Sequence, residues 1–301
     1  MEILSTCPVC SRPDFTRFLN GRDYFLSQEE YTIVSCNHCG MKFLNPRPDA
    51  TEIVKYYLSP DYVSHDAGKK SALNFVYRLV RNFTIGGKYR LIRKYSSGKM
   101  LLDIGCGTGE FLHYCRQKGY DVQGIEPGEK PASFARSVHK LDVSDESSLD
   151  ELNHPAFDII TMWHVLEHVH RLNERMEKIS RILKPDGTVF IAVPNCDSWD
   201  ADHYGEFWAA YDLPRHLYHF SRSTMNLLAK NHGFKIDKII PMKMDAFYIC
   251  LLSEKYSKGK QNYFPAVVNG IRSNNFARRN HKNYSSLLFV LLKEQTENNS
   301  V

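Results

Sequence analysis

The sequence has no long apolar run and no strong imbalance of charge. Its longest apolar stretches, such as Leu287 to Leu292, are far too short to cross a bilayer. The N-terminal residues lack the basic region and apolar stretch of a secretory signal. The net charge of +5, from 39 basic and 34 acidic residues, permits an anionic ligand without requiring nucleic acid. We therefore expect a soluble, cytoplasmic protein.

The most informative segment is a run of glycines at the end of a predicted strand. Met100 to Ile104 suit a strand, and Gly105, Gly107 and Gly109 follow at alternate positions. An amphipathic helix pattern begins directly afterwards. Backbone amides at the start of a helix can approach a ligand closely where Cβ atoms are missing. The segment therefore predicts the first crossover of a nucleotide-binding domain.

The residues around the glycines indicate which nucleotide is bound. A second predicted strand ends at Glu126, 17 residues beyond Gly109, where a crossover presents an acid to ribose hydroxyls. A dinucleotide fingerprint would place its third glycine at position 110, which is Glu110 here. The strand also carries Asp103, and this combination suits a cationic, phosphate-free ligand such as S-adenosylmethionine (SAM) better than NAD. The alternative is an ordinary strand-to-helix turn.

This segment resembles the first motif of class I SAM-dependent methyltransferases, and the similarity extends over residues 98–240. Matching segments follow in the family's order: Phe157 to Met162 for the fourth strand, Trp163 to Val169 for the loop and helix after it, Leu183 to Gly187 for a turn, and Thr188 to Val193 for the fifth strand. The resemblance implies a seven-stranded, mostly parallel Rossmann-like sheet. It also implies a SAM site formed by Asp103, Gly105, Cys106, Gly107, Gly109, Glu126, Pro127, Leu149 and Trp163.

Four of the eight cysteines predict a zinc site near the N-terminus. They form two C-x2-C pairs, separated by 25 residues: Cys7 with Cys10, and Cys36 with Cys39. Four thiolates leave no open position for water, so the zinc is expected to be structural. Disulfides are the alternative. We expect a zinc ribbon over 1–48, a helical bridge over 49–97, and the methyltransferase domain over 98–295 with an inserted helical stretch near 244–280.

The acceptor is expected to bind beyond the carboxyl ends of the strands. Methyl transfer is an in-line displacement, and an acceptor hydroxyl needs a base to remove its proton. The segment Pro194 to Phe220 is rich in aromatic and ionisable residues and is a candidate for this role. After the fourth strand, His164 is a second candidate base, whereas Glu167 and His168 are expected at the start of a helix in structural roles.

The zinc module and the segment Arg215 to Ser221 together resemble sugar C-methyltransferases that act on nucleotide-linked keto-sugars. The family's general base is a histidine that aligns with His216. Arg215 replaces the family's acid, so the acceptor atom, carbon or oxygen, stays open. Arg215 is expected either to hold a diphosphate or to pair with Asp212. Tyr62 and Tyr211 are further candidate substrate contacts.

Two rival functions remain. An RNA methyltransferase could use the zinc ribbon to bind RNA. However, the fourth strand is not followed by the Asn/Asp-Pro-Pro-aromatic tetrad of amino-group methylases, and no Pro-Cys pair offers a thiolate for C5 methylation. A scaffold without catalysis would not need the glycines and Glu126. We therefore expect a small-molecule acceptor, a nucleotide-linked sugar or polysaccharide precursor, and no nucleic acid.

Overall fold

The computed structural model describes residues 1–57 and 85–294. Its strands are β1 (Phe15–Arg22), β2 (Glu30–Cys36), β3 (Lys42–Leu44), β4 (Met100–Ile104), β5 (Asp121–Ile125), β6 (Val143–Ser144), β7 (Phe157–Trp163), β8 (Leu183–Pro194), β9 (Tyr218–His219), β10 (Phe234–Pro241) and β11 (Ser286–Lys293). Its α-helices are α1 (85–95), α2 (Glu110–Gln117), α3 (Glu129–His139), α4 (Ser147–Glu151), α5 (Leu172–Ile182), α6 (Trp199–Tyr204), α7 (Arg222–Asn231), α8 (Asp245–Lys258) and α9 (Tyr263–Arg279). None of these helices combines the length and apolar character that a membrane span needs.

The larger sheet has seven strands in the order β10-β11-β8-β7-β4-β5-β6. The five strands β4 to β8 are parallel, and β11 and β10 are antiparallel additions at one side. The predicted mostly parallel, Rossmann-like sheet is therefore confirmed. Because strands β4, β5, β7 and β8 run in the same direction, the loops that follow them meet at one edge.

Strand β11 has the apolar sequence that is expected of a strand inside this sheet. Residues 287–291 are all apolar and almost completely buried, which is expected of a strand covered on both faces. Ser286 pairs with Pro194, so β11 lies between β8 and β10. The predicted inserted stretch before it consists of the two helices α8 and α9.

The segment Leu183–Gly187, predicted as a turn before the strand, already begins with a paired strand residue. The strand already begins at Leu183, which pairs with Phe157, and the next pair joins Thr188 to Ile159. Four residues therefore loop out of the register between two paired segments. The strand begins earlier than predicted because Leu183 is buried against the core.

The smaller sheet joins the N-terminal module to the rest of the chain. Strands β1, β2 and β3 form an antiparallel ribbon, and β9 pairs with β3 as a fourth strand through Lys42–His219 and Phe43–Tyr218. The four-cysteine ribbon is thus completed by a strand that lies far along the sequence. The domain boundaries at 48, 97 and 295 stay predictions.

A buried cation fixes the position of this module. The guanidinium of Arg215 lies 3.0 Å from Asp23 of the ribbon and 2.7 Å from Asp212, and the Arg215 and Asp23 side chains are 1% and 0% exposed. Both charges are removed from water, so each depends on the other for compensation. This contact connects the ribbon to the segment that follows β8.

Replacing Asp23 by alanine should lower the free energy of unfolding by about 3 kcal/mol, because it leaves a buried guanidinium with one partner fewer. Urea denaturation followed by circular dichroism measures this change. The control is Glu30→Ala in the same ribbon, which removes an exposed ion pair with Arg22 and should change stability by less than about 0.5 kcal/mol. Equal small effects of both substitutions would contradict the anchoring role of Asp23.

Candidate active site

The glycine loop has the backbone conformation that the sequence predicts. Gly105, Gly107 and Gly109 have φ angles of +74°, +57° and +79°, in the left-handed region that favours glycine. A Cβ at Gly105 would lie 2.4 Å from Val165 of the loop after β7. A Cβ at Gly107 would have no described atom within 4 Å, so this part of the loop is open to a ligand. The two loops therefore pack directly against each other at Gly105 and leave space at Gly107.

Glu126 follows β5, next to this opening. Backbone N–H groups of Gly107 and Gly128 each donate to one of its carboxylate oxygens, both at 2.8 Å. Burial nevertheless raises the pKa of Glu126. Asp103 is deeper, 2% exposed, and burial raises its pKa to about 7 although Thr161 donates a hydrogen bond to it. Both acids lie in the half of the site predicted for SAM.

The other predicted cofactor residues lie around these acids or behind them. The Trp163 ring packs edge-on against Phe111, and its buried indole N–H has no hydrogen-bond partner among the described residues. Cys106 is buried in the loop, and Pro127 is exposed next to Glu126. Leu149 is 2% exposed within the hydrophobic core at helix α4. Their contacts with SAM stay predictions.

Two charged residues at this edge were missed by the sequence analysis. Lys88 of α1 places its ammonium 4.4 Å from the centre of the Trp163 ring, and burial lowers its pKa. Asp245, at the start of α8, lies 3.1 Å from His164. Lys88 lies in the helix directly before β4, and Asp245 lies in a helix far along the chain. Neither residue belongs to a short motif, so only the tertiary fold reveals their contacts.

His164 has an unusual backbone and an unusual charge. Its φ angle is +58°, which is uncommon for a residue with a side chain. Burial opposes protonation, but contacts with Asp245 at 3.1 Å and Glu167 at 3.5 Å raise the pKa of His164 to about 10. A raised pKa disfavours proton acceptance by this ring at neutral pH. The role of His164 as a base stays a prediction.

His216, the first candidate base, is 9% exposed. Its Nδ1 lies 2.8 Å from the backbone carbonyl of Ala210, so this nitrogen donates and Nε2 keeps a free lone pair. The ring packs edge-on against His168, with 4.6 Å between ring centres. The ligand atoms of His216, His168 and Glu167 lie within 4.8 Å of one another. The structure thus brings His216 together with the two residues for which structural roles were expected.

The expected position of Glu167 and His168 at the start of a helix was wrong. Helix α5 begins only at Leu172, and Glu167 lies in a short 3-10 turn, Leu166–His168. The Glu167 carboxylate is completely buried, so it does not act as an exposed charge at a helix terminus. Burial lowers the pKa of His168 to about 4, so this ring is neutral at pH 7.

The three predicted substrate residues have different surroundings. Arg215 is saturated by Asp23 and Asp212, which favours the pairing alternative over a diphosphate contact. Tyr211 is 4% exposed, and its ring packs against Trp208 and His219. Tyr62 lies outside the described residues. The described part of the chain therefore gives no direct support for a substrate contact by Arg215.

The four N-terminal cysteines converge as predicted. The sulfur atoms of Cys7 and Cys39 are 3.6 Å apart, and those of Cys10 and Cys36 are 3.5 Å apart. Four sulfurs at about 2.3 Å from a tetrahedral zinc would be separated by about 3.8 Å, so the cluster fits this ion. All eight cysteines are free thiols in this structure.

Replacing Glu126 by alanine should weaken SAM binding at least about tenfold, because hydrogen bonds to a charged group contribute about 1.5–3 kcal/mol. Isothermal titration calorimetry with SAM measures the affinity. The control is Glu129→Ala, since Glu129 is an exposed acid that pairs with Arg136 on α3. The assignment fails if the two variants bind SAM equally well.

Comparisons with known proteins identify the same fold and chemistry. A family profile described as "Methyltransferase domain" matches residues 83–239. The "Ubiquinone biosynthesis O-methyltransferase" of Dechloromonas aromatica is 27% identical over 190 residues, which cover 58% of this chain and 79% of that protein. The protein of the same name from Pseudomonas aeruginosa (strain UCBPP-PA14) is 34% identical over 108 residues, which cover 33% of this chain and 46% of that protein. The chain thus spans about half the length of the second relative.

Solved structures give the same fold at lower identity. Magnesium protoporphyrin IX methyltransferase from Synechocystis PCC 6803, solved with bound SAH, has a TM-score of 0.54 at 13% identity, over 82% of this chain and 100% of that one. The PH0226 protein from Pyrococcus horikoshii OT3 has a TM-score of 0.50 at 16% identity, over 80% and 99% of the two chains. The profile match covers more than half of the chain and includes the glycine loop and Glu126. The chain therefore belongs to the methyltransferase domain family and is a SAM-dependent methyltransferase.

Proposed function

We propose that this enzyme transfers the methyl group of SAM to a hydroxyl or carbon of a nucleotide-linked sugar or polysaccharide precursor. The observation that carries this proposal is the state of His216: its Nδ1 is tied to the Ala210 carbonyl, so its Nε2 lone pair is free to take a proton. His216 follows β8 at the edge of the sheet where the glycine loop also lies.

The reaction divides between two halves of this edge. The glycine loop, Asp103 and Glu126 hold SAM, with the acids facing its ribose and its positive charge. His216 removes the proton from the acceptor, whose oxygen or carbon then attacks the methyl group from the side opposite sulfur. The C–S bond breaks with its electron pair going to sulfur, and S-adenosylhomocysteine leaves.

The acceptor class is supported by the architecture around His216. The zinc ribbon pairs with β9 and meets Arg215, so the module lies against the segment that carries the base. The modest positive charge suits a small anionic substrate rather than a nucleic acid. The names of the two curated relatives favour oxygen as the acceptor atom, so a hydroxyl is the first acceptor to test.

Those relatives also supply a second candidate, O-methylation of an intermediate in ubiquinone biosynthesis. An assay with methyl-labelled SAM and a panel of acceptors separates the candidates. The class of acceptor that becomes labelled, whether nucleotide-linked sugars, the quinone precursor or RNA, identifies the substrate. RNA binding that weakens steeply with salt, together with labelled RNA, would instead revive the RNA methyltransferase.

We further propose that the four-cysteine cluster holds one structural zinc ion. The sulfur spacing fits a tetrahedral ion, and four protein ligands leave no position for substrate. The ribbon is too small to fold on an apolar core alone, so metal binding would supply much of its stability.

Replacing His216 by alanine should lower kcat about a hundredfold or more while the Kd for SAM stays within about twofold, because the variant loses the base and keeps the cofactor half. The control is His170→Ala, since His170 contacts the Pro48 carbonyl and lies outside the cluster. Rates are measured at saturating SAM with the labelled sugar product. Unchanged turnover in the His216 variant would exclude it as the base.

Replacing Cys36 by serine should reduce the zinc content from about one ion per chain to nearly none, and should expose the ribbon to protease. Inductively coupled plasma mass spectrometry and limited proteolysis measure the two effects. Cys115→Ala is the control, since Cys115 is a buried thiol in the hydrophobic core. Full zinc content in the Cys36 variant would contradict the proposed site.

A further inference from the structure

A second group of possible metal ligands lies in the described part of the chain, apart from the cysteines. It consists of Glu167, His168 and His216, and one ligand atom from each lies within 4.8 Å of the others. We name this group the Glu-His-His cluster. Two histidines and one carboxylate form a ligand set that binds first-row divalent cations and leaves coordination positions open.

The two histidines are held in the state that a metal requires. Nδ1 of His216 lies 2.8 Å from the Ala210 carbonyl, and Nδ1 of His168 lies 3.0 Å from the Arg215 carbonyl. Because a carbonyl only accepts, both Nδ1 atoms donate, and both Nε2 atoms keep their lone pairs. Histidines that bind metals almost always donate their other N–H to such a partner.

The carboxylate supplies the second, independent observation. Both oxygens of Glu167 are buried and have no hydrogen-bond partner among the described residues. The nearest cation that the structure gives them is the His164 ring, at 3.5 Å from Oε1, and this ring is shared with Asp245. A buried carboxylate without donors is costly unless it is paired or binds a metal.

The Glu167 carboxylate and one ring nitrogen of each histidine lie together in this cluster. Asp212 adds a further oxygen 3.9 Å from Nε2 of His216, although its carboxylate is mainly bonded to Arg215. His164 touches only one edge of the cluster, at Oε1 of Glu167, so a cation held by all three ligands would add to the stabilisation of the buried carboxylate. His168 is the partly exposed member of the cluster and offers a path from solvent.

We propose that the Glu-His-His cluster binds one divalent cation, which holds the acceptor hydroxyl in the active site. This inference rests on the proposed methyl transfer to a sugar hydroxyl and replaces its base step. A cation lowers the pKa of a bound hydroxyl, so it would take over the task of His216, whose lone pair would then be a ligand. The hydroxyl proton leaves to solvent, the oxygen forms the new bond to the methyl carbon, and the C–S bond breaks with its electrons on sulfur.

The test uses the full-length protein with zinc in its cysteine site and Mn²⁺ as the probe, because Mn²⁺ prefers nitrogen and oxygen ligands to thiolates. Titration followed by electron paramagnetic resonance should show about one bound Mn²⁺ per chain, with pulsed spectra that contain nitrogen couplings from two histidines. Absence of binding, or binding without nitrogen couplings, would overturn the proposal in the unmodified protein.

Variants locate the site. Glu167→Gln keeps the shape of the side chain and should weaken Mn²⁺ binding about a hundredfold or more, beyond the 10–100-fold effect of losing a group that only supports a ligand. His168→Gln is measured in the same way, and circular dichroism checks that each variant is folded. His170→Gln is the matched control and should bind normally. Normal binding by a folded Glu167→Gln protein would also overturn the proposal.

Activity separates this inference from the proposed function. Methyl transfer to the sugar acceptor should rise at least tenfold when Mn²⁺ is added to protein that holds zinc alone. If the unmodified protein is fully active without Mn²⁺ and the His216→Ala variant is inactive, the proposed cation site is overturned and His216 remains the base. Tight Mn²⁺ binding without methylation of any sugar would keep the site and overturn the acceptor class.

Discussion

The buried charge of Arg215 is the constraint on which the acceptor half of this enzyme depends. Its guanidinium lies between Asp23 of the ribbon and Asp212 of the segment after β8. Neither partner can move away without leaving a charge in a dry environment. The next residue is His216, whose ring is tied to Ala210 in the same segment. A single ion cluster thus fixes both the ribbon and the candidate base.

The conformation of the glycine loop and the strand ends around it were predictable from the sequence, because local rules govern them. Positive φ angles require glycine at Gly105, Gly107 and Gly109, and Glu126 ends the next strand of the same crossover. The seven-stranded sheet follows from strand and helix patterns along one continuous stretch. The cysteine cluster is predictable for a similar reason, since the spacing of the two pairs already limits the geometry.

The acceptor half was less predictable because it is built from contacts distant in sequence. Asp245 sets the charge of His164 from an inserted helix, and Asp23 takes up Arg215 from the ribbon. Neither partner has a motif of its own. The burial of Glu167 likewise depends on the packing of the turn after β7, whereas the sequence pattern suggested the start of a helix.

The two sides of the site also differ in the ionisable groups that they contain. Asp103 and Glu126 are acids whose pKa values burial raises, so a cationic ligand at this position favours their ionised forms. On the other side, Asp245 and Glu167 raise the pKa of His164, which lies between their carboxylates. The glycine-loop side therefore favours a cationic ligand, whereas the side of His164 and His216 combines carboxylates with imidazole rings.

The pairing of β3 with β9 has a consequence for synthesis of the chain on the ribosome. Lys42 and Phe43 meet His219 and Tyr218, so the outer edge of the ribbon stays uncovered until the chain beyond residue 219 has emerged. The partner of Asp23 also arrives only with residue 215. The ribbon is therefore translated well before the strand that completes it, and during elongation its open edge is a site for wrong pairing with other nascent chains.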